Sequence, residues 1–278
     1  VHRYADHVLQ EVPAVVPAAP QGVSLRILIC EDHPVNQKLA SRLLEKAGHR
    51  IVLADTGREA LDAWGNESEP GFDLILMDIQ MPELDGVEAT IAIRKREQVT
   101  GRHVPINAMT ANAMRGDKEK YLEVGMDGYI SKPIHSSVLF TEIDRCLKGT
   151  ERDTAMTTNA WESGELLNRA SLLERVEGDQ ELLAEIINLF VDEAPRLLDA
   201  MRDALRQGNM TVLERAAHSL KGAASNLSAN LTAAAALRLE NNAKNGDVES
   251  SRASLTNLEG AVDRLLPAPA EVCQGVSK

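Results

Sequence analysis

Four short apolar runs in the first half of the chain each end on a polar residue suited to phosphate chemistry. Leu25 to Cys30 runs into Glu31 and Asp32, Phe72 to Met77 into Asp78, Val104 to Met109 into Thr110, and Gly128 to Ser131 into Lys132. Continuous apolar runs of this length read as strands of a sheet covered on both faces. Ligands of open parallel sheets bind beyond the carboxyl ends of the strands. Carboxylates converging there repel one another unless a hard cation lies among them, and Mg2+ takes oxygen ligands while keeping waters for an incoming phosphate. A carboxylate beside it can attack phosphorus. A hydroxyl and an ammonium can then hold the phosphoryl oxygens. Each residue also has a plainer reading: Asp32 as a helix N-cap, Asp78 as a turn residue, Thr110 as a cap, Lys132 as a solvated charge. One polar role at each of four successive strand ends favours the joint site.

A second candidate lies further along. Leu213, Ala216, Ala217, Leu220, Ala224 and Leu227 form an apolar helical stripe, and Glu214, His218, Lys221, Gly222 and Ser225 fall on the other side. His218 is therefore expected to face solvent. A lone exposed histidine is ordinarily a spectator, but its neighbours change the reading. Gly222 lies one turn on, where a side chain would crowd the imidazole, and glycine in a helix costs about 1 kcal/mol against alanine. Lys221, three residues on, can pair with phosphoryl oxygens. An accessible imidazole with a cleared approach and an adjacent cation suits in-line phosphoryl transfer to nitrogen.

These residues need two kinds of scaffold. Between the strand-like runs, a helical period covers Asn36 to Ala47, the stretch from Thr56 through Leu61 and Trp64, Val87 to Arg94 and Val138 to Leu147, with a further strand over Arg50 to Ala54. Alternating strands and helices predict an α/β, doubly wound, five-stranded parallel sheet over 24–148. Residues 149–164 are polar and read as a linker; a flexible coil of that length spans roughly 20–24 Å. From Glu165 to Leu266 only helical patterns appear, including a stripe of Leu183, Ile186, Ile187, Phe190, Ala194, Leu197 and Met201, which predicts an all-α four-helix bundle. Residues 1–23 read as an N-terminal linker and 267–278 as a disordered tail. The chain's 278 residues suit two domains better than one core. Its net charge of −12 argues against nucleic acid as a direct partner. Three scattered cysteines match neither a zinc site nor a disulfide framework and fit a reducing cytosol. No run is long enough to span a bilayer, so no membrane contact is expected in this segment. The chain begins at Val1 and reads as an excerpt or a processed chain.

Glu31-Asp32-His33-Pro34-Val35-Asn36, Leu76-Met77-Asp78-Ile79-Gln80-Met81-Pro82, Ala108-Met109-Thr110-Ala111 and Gly128-Tyr129-Ile130-Ser131-Lys132-Pro133 together resemble a response-regulator receiver domain, in wording closest to the receivers of hybrid sensor kinases. The resemblance implies a flavodoxin-like fold with Asp78 as phosphoacceptor. It implies Mg2+ held by Asp32, Asp78 and the backbone carbonyl of Gln80, with Glu31 assisting through water. It assigns Thr110 and Lys132 to the phosphoryl group, makes Tyr129 the aromatic that turns inward when Thr110 shifts, and makes Lys132-Pro133 a cis bond. Asn107 departs from the family, which carries an apolar residue there; buried without partners it would cost about 1–3 kcal/mol. His218-Ser219-Leu220-Lys221-Gly222-Ala223-Ala224-Ser225-Asn226 resembles the signature of histidine phosphotransfer domains, as do Leu166 to Ala204 and Leu237-Arg238-Leu239-Glu240. Ser228 stands where that family often has glycine.

What the resemblance implies is a phosphorelay segment of a hybrid histidine kinase. Asp78 takes a phosphoryl group from a kinase histidine, expected upstream on the same polypeptide. His218 then exchanges it with Asp78 and passes it to a downstream response regulator. No nucleotide-binding boxes appear, so the segment itself is not expected to use ATP. The expected location is the cytoplasm, which is compatible with a parent protein that dimerises or is anchored in an inner membrane. Two rivals are an Mg2+-dependent aspartyl-phosphate phosphatase, which would need an acid where Gln80 stands, and a phospho-independent docking module, which would lack an acceptor or a ligand.

Overall fold

Side chains alternate across the first strand: Leu28 and Cys30 join one buried cluster, and Ile27 and Ile29 the other. A sheet with two apolar faces must be covered twice, and the helices do this. The computed structural model describes residues 24–66, 70–111, 115–148, 167 and 169–267. Five parallel strands, β1 (Arg26–Cys30), β2 (Arg50–Ala54), β3 (Leu74–Asp78), β4 (Ile106–Thr110) and β5 (Gly128–Ser131), pair in the order β2-β1-β3-β4-β5. Helices α1 (Pro34–Lys46), α2 (Gly57–Trp64), α3 (Gly86–Thr100), α4 (Arg115–Glu123) and α5 (Ser136–Lys148) connect and cover them. The expected doubly wound α/β fold is thus the one observed. The N-terminal linker, the expected linker over 149–164 and the expected disorder beyond Pro267 lie outside the described residues.

Local chemistry sets the helix ends. Thr56 caps α2 by accepting from Glu59 N. Asp85 and Glu88 form a reciprocal capping box at α3, which runs on to a left-handed Gly101, well past the expected end at Arg94. Helix α4 has no apolar stripe in Arg-Gly-Asp-Lys-Glu-Lys, which is why periodicity does not reveal it.

Beyond the receiver-like half, α6 (Arg169–Arg175) leads into four long helices: α7 (Gln180–Gln207), α8 (Met210–Asn226), α9 (Asn230–Lys244) and α10 (Val248–Leu265). Each of the four packs on two of the others in a ring, giving a four-helix bundle. Its core stripe on α7 passes through Leu198 rather than the expected Leu197, which is only partly buried. The 3.6-residue period places Leu198 one turn after Ala194. Ser228 adopts φ 52°, the left-handed region where glycine is favoured. The substitution of serine for the family's glycine is thus a matter of backbone conformation as well as size, costing about 1 kcal/mol.

The bundle core and the α1/α5 face of the sheet form one continuous apolar cluster. Two ion pairs flank the junction, Lys38–Glu185 at 2.8 Å and Lys46–Glu177 at 3.2 Å.

Asn107 is fully buried in β4, on the face of Met109, as alternation predicts. Its Oδ1 accepts from the Cys146 thiol at 2.8 Å, and its Nδ2 has no hydrogen-bond partner. Gly128, beside it in β5, leaves the room: a Cβ there would lie 2.5 Å from Asn107 Oδ1. Replacing the amide by an apolar side chain removes one unsatisfied donor and loses only a weak thiol bond. Asn107→Val is therefore expected to raise the melting temperature by about 2–8 °C, followed by calorimetry of the intact chain. A lowered midpoint would mean that the thiol bond outweighs the unpaired amide.

Candidate functional site

The carboxyl ends of β1, β3, β4 and β5 bring the expected residues together. Glu31, Asp32 and Asp78 each offer a carboxylate oxygen, all within 4.8 Å of one another. Lys132 enters from β5, and its Nζ lies 2.7 Å from both Asp78 Oδ2 and Glu31 Oε2. It is almost wholly buried and is no solvated surface charge. Asp32 is no N-cap either, because His33 caps α1 by accepting from Val35 N through Nδ1. Asp78 is the last residue of β3, and its Oδ1 accepts from Gln80 N at 3.3 Å. Lys132-Pro133 is cis.

Thr110 ends β4 with its hydroxyl 3.2 Å from the phenol of Tyr121, a residue on the polar helix α4 that sequence reasoning missed. Tyr129, beside Ala108 in the sheet, is buried.

The electrostatics of this pocket are those of crowded negative charge. Burial pushes the Glu31 carboxyl up to about 8, despite Lys132 and with Asp78 and Asp32 adding to the rise. Burial, followed by the Asp78 charge, raises Asp32 to about 6. For Lys132, burial alone would lower the ammonium, but Asp78 and Glu31 outweigh it and hold it above its usual range. A set of hard oxygen donors that resist carrying their charge together, Glu31, Asp32 and Asp78, fits a small divalent cation.

His218 does not face solvent, as its helical face suggests. It is 8% exposed, and Ser219, Lys221, Gly222 and Ser225 are buried with it. The receiver-like half covers this face. Ser219 Oγ donates to Asp32 Oδ2 at 3.2 Å. A Cβ on Gly222 would lie 3.2 Å from Asn36 Nδ2 of α1. The cleared space at Gly222 therefore accommodates the opposite domain rather than the imidazole.

Within the bundle, Glu240 of α9 organises the site. His218 Nδ1 lies 2.8 Å from Glu240 Oε1, and Lys221 Nζ donates to Glu240 Oε2 at 2.5 Å. A carboxylate can only accept, so Nδ1 carries a proton, and in the neutral ring this leaves the lone pair on Nε2. Lys221 Nζ also lies 3.3 Å from His218 Nδ1. Burial lowers the Lys221 ammonium, against the pull of Glu240. Burial would raise the Glu240 carboxyl, but His218 and Lys221 bring it below its usual value. The available signal for Glu240 was a charged residue among Ala236, Leu239 and Ala243, all buried on the same helix.

Residues 27–144 match the model of the response regulator receiver domain, and residues 185–268 that of the Hpt domain. Sensor histidine kinase GacS of Pseudomonas protegens is 32% identical over 247 residues, which cover 86% of this chain and 26% of GacS. The polar-differentiation response regulator DivK of Brucella ovis is 44% identical over 108 residues, covering 39% of this chain and 84% of DivK. Among solved structures, the receiver domain of sensor histidine kinase PA1611 of Pseudomonas aeruginosa, with a magnesium ion coordinated in its active site cleft, is 39% identical; the match covers 45% of this chain and 99% of that one, with a TM-score of 0.40. The histidine kinases matched are much longer, and this chain covers between 7% and 26% of the length of three of them. The chain belongs to the response regulator receiver family and carries an Hpt domain behind its receiver.

Proposed function

We propose that Asp78 and His218 are the two ends of one phosphoryl-transfer step in a two-component phosphorelay, and that the folded chain holds them ready for it. The observation that carries this reading is the burial of the His218 face against the acidic pocket, with Ser219 hydrogen-bonded to Asp32. In this scheme an Asp78 carboxylate oxygen attacks the phosphorus of an upstream phosphohistidine; a P–O bond forms as the P–N bond breaks. His218 Nε2 then attacks the phosphoaspartate, forming P–N and releasing the carboxylate. From His218 the group goes to the aspartate of a separate regulator. Glu240 fixes the tautomer that leaves Nε2 nucleophilic and stabilises the positive charge that the ring gains on phosphorylation. Lys132 and Thr110 hold the phosphoryl oxygens on the receiver side, and Lys221 offers a cation on the other. Mg2+, held by Asp32, Asp78 and the carbonyl of Gln80 with Glu31 beyond, would neutralise charge on the phosphoryl oxygens when bound. Tyr129 is assigned to the inward turn that follows a shift of Thr110. No helix among the described residues is long and apolar enough to cross a membrane.

Incubation with Mg2+ and a small acyl phosphate is expected to give a base-labile adduct on Asp78 and an acid-labile one on His218. Asp78→Asn or chelation of Mg2+ is expected to abolish both, measured by mass spectrometry and label stability; equal labelling of the Asn variant would remove Asp78 from the scheme. Glu240→Ala is expected to slow movement of label from Asp78 to His218 by about tenfold or more, with Glu240→Gln between it and the parent because its amide oxygen still accepts from Nδ1–H. Unchanged transfer in Glu240→Ala would leave the tautomer argument without force.

Because both groups lie in one folded chain, transfer between them is expected to be independent of chain concentration. Labelled His218→Ala chains mixed at micromolar concentration with Asp78→Asn chains should pass their label much more slowly than the intact chain does internally, where the effective concentration is on the order of mM. Equal rates would show that the relay runs between chains.

A further inference from the structure

We infer that Asn226 is the docking residue that holds the histidine helix against the receiver, through a polarised pair of side-chain amides that ends in the acidic pocket. The inference rests on the reading of Asp78 and His218 as transfer partners. Asn226 is the last residue of α8, about two turns beyond His218, and is fully buried. Its Oδ1 accepts from Ile134 N at 3.0 Å, and its Nδ2 donates to Asn36 Oδ1 at 2.7 Å. Asn36 Nδ2 in turn donates to Glu31 Oε1 at 2.7 Å.

The order of these bonds is forced. A backbone N–H can only donate, so Asn226 must turn its oxygen to Ile134 and its NH2 to Asn36. Asn36 must then present its oxygen to Asn226 and its NH2 to Glu31. Turning either amide around sets like groups against each other. The two amides therefore read a receiver that offers a donor at Ile134 and a carboxamide at Asn36, and few other surfaces would satisfy both ends.

Three further observations make this an interface device rather than part of the bundle's own fold. Both side-chain bonds of Asn226 leave its domain. Arg175, buried beneath the helix end, holds the carbonyls of Ser225 and Asn226 at 2.5 and 2.7 Å, which fixes the direction in which Asn226 points. Ser219, Gly222 and Asn226 follow an i, i+3, i+7 spacing on one face of α8: Ser219 bonds Asp32, Gly222 makes room for Asn36, and Asn226 grips Asn36 and Ile134.

The test uses the full chain, loaded with an acyl phosphate and Mg2+, and follows the fraction of Asp78 label that moves to His218, so that differences in loading divide out. Small-angle scattering and circular dichroism are recorded on the same samples. Asn226→Ala is expected to slow transfer about tenfold, raise the radius of gyration and leave helicity at the parent level. Asn226→Asp is expected to be slower still, because its carboxylate cannot donate to Asn36, whose own NH2 is committed to Glu31. Slowed transfer without a change in scattering, a change in scattering without slowed transfer, or a loss of helicity would each overturn the inference. Transfer in the unaltered chain is the separate check on the transfer pair. Its absence overturns that reading and the inference with it, whereas transfer that Asn226→Ala leaves unchanged overturns the inference alone.

Discussion

The buried ammonium of Lys132 is the charge on which the receiver site depends. Three carboxylates with oxygens within 4.8 Å of one another repel by about 3 kcal/mol per ionised pair at an effective dielectric near 20. Lys132 offsets part of this by standing 2.7 Å from two of them. The sheet order explains how it can. Glu31 and Asp78 leave neighbouring strands, whereas Lys132 starts beyond Thr110 and must reach across β4, which a long unbranched side chain can do. Burial, which Lys132 does not offset, appears with the added push of the neighbouring carboxylates as the raised Glu31 and Asp32 carboxyls. A pocket built this way is poised for positive charge, and in the proposed transfer Lys132 is the group that meets the phosphoryl oxygens.

The bundle solves the complementary problem with fewer groups. For the proposed transfer His218 needs one nitrogen free and one held, and Glu240 does the holding while its second oxygen takes Lys221. The result is a nearly neutral trio on a helix face made of small residues. That face can lie close to a crowded anionic pocket without adding to its charge, and Ser219 and Gly222 add little bulk between the two sites.

Much of this was legible in the sequence, and the exceptions have physical causes. Apolar runs closing on Glu31, Asp32, Asp78, Thr110 and Lys132 gave away both the sheet and the pocket, because separate caps and turns account poorly for one such residue at each of four strand ends. Helix α4 was hidden because a helix polar all round has no periodic signature, and Tyr121 was hidden with it. His218 was expected in solvent because a polar helix face reads the same whether water or a polar pocket covers it. Leu198 displaced Leu197 by a single position, within the ambiguity of a 3.6-residue period. Glu240 lies 22 residues from His218, and only the antiparallel return of α9 brings them together.

The docking face and the chemical pocket are not separable sets of residues. Asn36 bonds Glu31 on one side and Asn226 on the other. Ile134, which offers its N–H to Asn226, is two residues from Lys132 across the cis Lys132-Pro133 bond. Ser219, adjacent to His218, bonds Asp32 directly. Each of these hydrogen bonds thus ends on a pocket residue or one short step from it. The apolar contact of α1 with α7 and the outlying ion pairs at Lys38 and Lys46 supply adhesion that is indifferent to the pocket. The polar bonds supply register, because an amide ladder with one allowed polarity is satisfied at one alignment only. A slide of α8 by one turn would lose every one of these bonds and carry Gly222 away from Asn36, which leaves Ser219 on Asp32 as the alignment in which the polar bonds are met.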